Sequence, residues 1–153
     1  MVDTLEQAKQ QLRENWEKGL PCPCCTQFVK LYKRPIYGVL IYSLIKLHKL
    51  TEQKEDYYHI TELTPEKSSG GGDFAKLLYW ELIEEKPQDE RTKEKRTSGY
   101  WKITEKGKLF VKNELAILSH VMLFDGKCYG FTGKEVTAKE VLGSKFNYEE
   151  LMQ

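Results

Sequence analysis

Three of the four cysteines fall within four consecutive positions, at Cys22, Cys24 and Cys25, and Cys128 lies far along the chain. Cys22 and Cys25 have the two-residue spacing that lets both thiolates reach one tetrahedral zinc ion. Pro21 and Pro23 flank Cys22 and exclude regular helix, so Pro21-Cys22-Pro23-Cys24-Cys25 reads as a tight knuckle, with Cys24 turned away from the pair. A complete zinc site needs two further ligands. Cys128 is the best distant candidate, with His48, His59 and His120 as others. A structural zinc on Cys22, Cys25 and Cys128 is one expectation. Small buried thiols and a dithiol–disulfide couple are the alternatives, and spacing alone leaves all three open.

Basic side chains give the second chemistry. Lys30, Lys33 and Arg34 lie beside Tyr32 and Tyr37, an interleaving that can grip a single strand or simply form a snorkelling surface strip. Arg91, Lys93, Lys95 and Arg96 sit in the charged stretch from Lys86 to Ser98, among Glu84, Glu85, Asp89, Glu90 and Glu94. They suit phosphate contacts, or they keep a solvated loop soluble. The formal net charge of +1 lacks the overall basic excess common in nucleic-acid binders, leaving only local patches. The turn at 68–72 lacks the Lys-Ser/Thr ending of a phosphate loop, and Asp73 after it would repel phosphate. No Ser or Cys nucleophile stands in a motif with a base, and no acid–base constellation is recognisable, so the expectation is a non-enzyme.

The elements that must position these groups follow from periodicity. Leu5, Ala8, Leu12 and Trp16 share one helical face within residues 3–18, with Asp3 and Glu6 as a capping box and Gly19 as the stop. Gln27 to Lys33 reads as short extended or irregular chain, with Pro35 near the first turn of the next helix. Ile36 to Leu50 has the wide apolar face of a central helix. Tyr57 to Ile60 reads as a short strand. A short helix is expected in 61–69 from Thr64-Pro65-Glu66, and another from an Asp73 cap with Phe74, Leu77 and Leu78 buried. Leu82-Ile83 leads into a strand, and Gly99 to Ile103 forms its partner. Thr104 caps a helix carrying Leu109, Phe110 and Leu115. Val121 to Phe131 reads as a hairpin about Asp125-Gly126, with a third strand over Lys134 to Ala138 and a final helix at Tyr148 to Met152.

That order is the order of a winged helix–turn–helix. Tyr100-Trp101-Lys102-Ile103-Thr104-Glu105-Lys106-Gly107 resembles the Leu/Ile-Thr-x-x-Gly signature that closes the wing in MarR and PadR type transcriptional regulators. Cys-Pro-Cys-Cys-Thr-Gln at 22–27, Lys30 to Arg34, Leu78-Tyr79-Trp80 and Lys145-Phe146-Asn147-Tyr148 resemble an uncharacterised family of small bacteriophage and bacterial proteins, in which Gly is expected at the place of Thr26. The first resemblance implies DNA binding by a helix starting at Asp73, with Lys76 and Tyr79 outward, and by a wing tip carrying Arg91, Lys93, Lys95 and Arg96. The second implies no activity. Winged helices also dock proteins, so a phage accessory protein that binds a host protein is the alternative.

The 153 residues are 40% hydrophobic, 12% aromatic and 31% charged, which suits one α+β domain with a real core. Three parts are expected within it: the N-terminal helix and knuckle (1–35), the winged helix core (36–115), and the C-terminal hairpin and short helix (116–153). No apolar run approaches the roughly 20 residues of a membrane span, and the polar N-terminus has no leader pattern, so a cytoplasmic protein with no membrane partner is expected.

Overall fold

A computed structural model describes residues 4–65, 71–87 and 99–153. Among these residues the chain is mixed α+β, with seven helices and three small antiparallel sheets. It divides into two compact units, Met1–Pro35 with His120–Thr132 and Ile36–Ser119 with Gly133–Gln153.

In the smaller unit, helix α1 spans Leu5–Asn15. Its cap is Thr4, whose hydroxyl accepts from the Gln7 N–H while the Gln7 side chain accepts from the Thr4 N–H. The reciprocal box therefore sits one residue later than Asp3 and Glu6; Asp3 lies outside the described residues. Strands β1 (Leu20–Pro21) and β2 (Phe28–Val29) form a minimal hairpin around the cysteines. Strand β3 (Tyr32–Pro35) pairs antiparallel with β7 (Ile117–Phe124), and β7 is followed by β8 (Lys127–Val136), giving the order β3-β7-β8. The turn between β7 and β8 places Asp125 and Gly126 at φ 51 and 69, the double positive φ that a two-residue hairpin requires. The third strand is thus Tyr32–Pro35, not 134–138, because β8 runs on to Val136. Pro35 closes β3 instead of opening a helix; with no N–H to donate, it is tolerated on an edge strand. Trp16 packs on Phe124 and Tyr129 at ring-centroid distances of 5.2 and 5.0 Å.

The larger unit is built on helix α2 (Gly38–Gln53), whose Leu40, Ile41, Leu44, Ile45 and Leu47 are buried. After it come β4 (Tyr58–His59), α3 (Ile60–Leu63), α4 (Gly71–Phe74), a 3₁₀ turn (Ala75–Leu78), β5 (Ile83–Glu85), β6 (Tyr100–Ile103) and α5 (Glu105–Val111). The strands order as β4-β6-β5, with Tyr58 opposite Trp101 and Ile83 opposite Ile103. Helices α6 (Ala138–Leu142) and α7 (Tyr148–Met152) complete the unit. Thr64 is the C-cap of α3 and His59 its N-cap, and the helix start expected from Thr64-Pro65-Glu66 runs into residues 66–70, outside the described residues. Asp73 lies inside α4 rather than at its cap. Phe74 and Leu77 are fully buried as expected, whereas Leu78 and Leu109 are exposed.

The β6–α5 junction is closely packed. Thr104 accepts from the Gly107 N–H at 3.0 Å and donates to the Glu81 carbonyl at 2.6 Å. A Cβ at Gly107 would lie 2.2 Å from the Leu82 carbonyl oxygen. Only a residue without a side chain lets α5 approach β5 this closely. Among the described residues, no helix is long and apolar enough to cross a membrane.

Candidate functional site

The β1–β2 hairpin presents the cysteines at its tip. The Cys22 N–H donates to the Gln27 carbonyl at 2.7 Å, and the Thr26 N–H donates to the Cys22 carbonyl at 2.9 Å, closing the knuckle. The Cys24 N–H points at the Cys22 Sγ, 3.4 Å away. Backbone N–H groups of Cys25 and then Cys24 hold the Cys22 thiol below its ordinary value, because they stabilise negative charge on sulfur. Cys22 is half-buried; Cys24, Cys25 and Cys128 are exposed, and all four are free thiols. The small-buried-residue alternative is therefore not met. Among the described residues, no group of three or more His, Cys, Asp or Glu side chains is gathered in a way that could hold a metal ion.

The proposed phosphate partners distribute unevenly. Arg91, Lys93, Lys95 and Arg96 lie outside the described residues. Lys33 and Arg34 are exposed on strand β3, and Lys30 is half-buried before it. Arg34 stacks its guanidinium 4.8 Å from the centroid of the Tyr32 ring, and Tyr32 itself is exposed. That pair is an aromatic–cation couple on a sheet edge, one form the interleaved stretch could take. Lys76 is committed locally: its ammonium contacts the Asp73 carboxylate, which also accepts from the Tyr37 hydroxyl at 2.7 Å. Burial, reinforced by Asp73, pushes the Tyr37 phenol up to about 12. Tyr79 is half-buried just after the 3₁₀ turn, at its C-cap. Among the described residues, the helix expected to enter a groove consists of α4 and a 3₁₀ turn, and its lysine, Lys76, is paired with Asp73.

A different surface gathers aromatic and basic groups. In β6, Trp101 and Ile103 point into the core, so Tyr100 and Lys102 point out. The Lys86 ammonium lies 5.3 Å over the Tyr100 ring, and the His59 ring meets it edge-on at 4.9 Å. The Lys102 ammonium lies 5.7 Å over the Tyr57 ring and 3.7 Å from Glu55, which also draws Lys108 at 3.9 Å. The Lys86 N–H donates to the Tyr100 carbonyl at 3.1 Å, so this row sits at the root of the connection between β5 and β6. The alternation of Tyr100-Trp101-Lys102-Ile103 carries part of that signal. The pairing of His59 with Tyr100 across β4 and β6 does not appear in it, because register is a tertiary property.

Comparison with protein-family models, with curated proteins and with solved structures finds no match.

Proposed function

We propose that the chain is a nucleic-acid-binding protein, with DNA as its ligand, in which residues 36–115 work as a winged helix–turn–helix. The observation that carries this reading is the outward row of Tyr100, Lys86, His59 and Lys102 at the root of the β5–β6 connection. The element order α2-β4-α3-α4-β5-β6-α5 and the strand order β4-β6-β5 support the fold part of it. The connection itself carries Arg91, Lys93, Lys95 and Arg96, side chains that neutralise phosphates. Tyr100 offers a π-face to a base or sugar, with a lysine already over one side.

Base reading by the α4 segment is not the mode proposed. Lys76 pairs with Asp73, and the chain after Phe74 is a 3₁₀ turn rather than a continued α-helix. Contacts to backbone and stacking surfaces give sequence-tolerant binding. Glu55 beside Lys102 and Lys108, together with the near-neutral total, keeps affinity modest, and the salt dependence comes from the basic side chains that reach phosphate.

Titration of labelled duplex and single-stranded DNA at several salt concentrations tests this. Replacing Arg91, Lys93, Lys95 and Arg96 by Ala should make the log–log salt slope on duplex shallower by roughly 3 to 4, one phosphate per residue. Tyr100→Ala should weaken single-strand binding by about 1–3 kcal/mol, the range for a lost stacking platform. Unchanged affinity in both variants removes this surface from the mechanism.

A second reading, a phage accessory protein that binds a host protein, is favoured by one observation. An open groove of about 240 Å³ between α2 and α7 is lined by Tyr42, Ile45, Leu50 and Leu151 together with Lys46, Lys49 and Gln53. A stoichiometric protein partner that survives nuclease treatment and is lost in Leu151→Glu, a half-buried position on the groove wall, would support that reading over the first.

A further inference from the structure

Cys22 and Cys25, at the tip of the β1–β2 hairpin, have the spacing of two ligands to one tetrahedral ion. All four cysteines and all three histidines of the chain lie among the described residues, and among those residues no third metal-binding side chain stands with any pair of them. A tetrahedral zinc site with only Cys22 and Cys25 is half built. We propose that it is completed by a second copy of this chain: two hairpin tips meet about a two-fold axis, and Cys22 and Cys25 of each bind one zinc ion.

Three features of the hairpin fit that arrangement. The knuckle is preorganised, since the Cys24 N–H already donates toward the Cys22 Sγ and the Thr26 N–H closes the turn. Such backbone donors are what orient and stabilise a coordinated thiolate. The tip is also accessible: Cys25 is exposed and Cys22 half-buried, so sulfur can meet a ligand from outside. Finally, the flank is apolar. Phe28, paired opposite Pro21 and seated against Gly19, remains 59% exposed. A two-fold contact needs one self-complementary patch, and it would cover the Phe28 ring of both copies together with the ion. Coordination converts four thiols to thiolates and releases their four protons to solvent, with no change of oxidation state.

The experiment uses the full chain, reduced, stripped of metal and titrated with zinc sulfate alone, with light scattering after size exclusion. The expected result is saturation at about half an equivalent of zinc per chain, because four thiolates hold one ion and each chain brings two. The mass should double with zinc and return to one chain on adding a chelator. Cys22→Ser and Cys25→Ser should each abolish the doubling, and Cys128→Ser should leave it intact. Cobalt in place of zinc should give the intense visible bands of a tetrahedral four-thiolate ion, a readout independent of the variants. One equivalent bound by a single chain overturns the proposal, as does loss of zinc in Cys128→Ser. Absence of tight zinc binding overturns it too, and a Cys22–Cys25 disulfide found by mass spectrometry before reduction would then assign the pair to redox chemistry.

Discussion

The two units solve the problem of stability differently. The 36–119 and 133–153 unit encloses a core of fully buried side chains, among them Leu40, Ile41, Leu44, Leu63, Phe74, Leu77 and Phe110. The 1–35 and 120–132 unit buries few side chains, Ala8, Leu31 and Val121 among them, and gathers its aromatic rings in a half-exposed cluster of Trp16, Phe124 and Tyr129. A deep core fixes geometry to a fraction of an ångström, so the larger unit can hold an outward row such as Tyr100 and Lys102 in place. A shallow cluster with a small hairpin instead offers an accessible tip. The contrast suits each proposed chemistry to its unit: surface recognition on the rigid sheet, metal capture on the thin hairpin.

Substitutions can break that contrast in order of expected effect. Gly107→Ala in the larger unit drives a Cβ into the Leu82 carbonyl and the Ile103 side chain, and should cost about 3 kcal/mol, the upper end for overpacking. The denaturant midpoint of the larger unit reports it. Trp16→Ala removes two ring contacts from the smaller unit and should cost about 2 kcal/mol there. Hydrogen exchange should then accelerate in β3 and in 120–132 and stay unchanged in α2; equal acceleration of both would erase the distinction between the units. Thr26→Gly relieves a side chain held at φ 66 and should raise stability by roughly 0.5–1 kcal/mol after glycine's own entropy is counted. A thermal scan checks its sign.

How much of this is legible in the sequence depends on how local each cause is. The Ile103-Thr104 junction and the Asp125-Gly126 turn are local codes, a hydroxyl cap and a double positive φ, and both stand where the residues alone put them. In sequence, strand β3 is split, with Tyr32 and Lys33 in short extended or irregular chain and Arg34-Pro35 as a boundary before a helix. Its Tyr-Lys-Arg-Pro has no alternating apolar pattern, and its partner residues 120–123 lie far along the chain. Helix α6 escapes periodicity because five residues carry too little of it, although Thr137 and Glu140 form its capping box. The expected site residues follow the same rule. Spacing finds the Cys22–Cys25 knuckle, whereas the Asp73 partner that neutralises Lys76 is visible only as a diluting acid, and the His59–Tyr100 pairing is set by register.

The smallest expected effect concerns acid. His48 is buried, its Nε2 lies 3.0 Å from Glu52, and its Nδ1 has no partner among the described residues. Desolvation holds its pKa below the ordinary imidazole value, against the pull of Glu52. A group with a depressed folded pKa binds fewer protons folded than unfolded, so stability should fall as pH drops below the ordinary imidazole range. His48→Gln should flatten that slope. A slope that steepens instead would mean that the charged form is the one the fold favours.

Central to the proposed function is nucleic-acid binding by the outward face of β6 and the β5–β6 connection. Fluorescence anisotropy of a labelled duplex, titrated with the full chain at rising salt, tests it most directly. Saturable binding should weaken steeply and linearly in log–log form with salt, with a shallower slope in the Arg91, Lys93, Lys95 and Arg96 alanine variant. No binding at low salt, or binding with the same slope in wild type and variant, would contradict it.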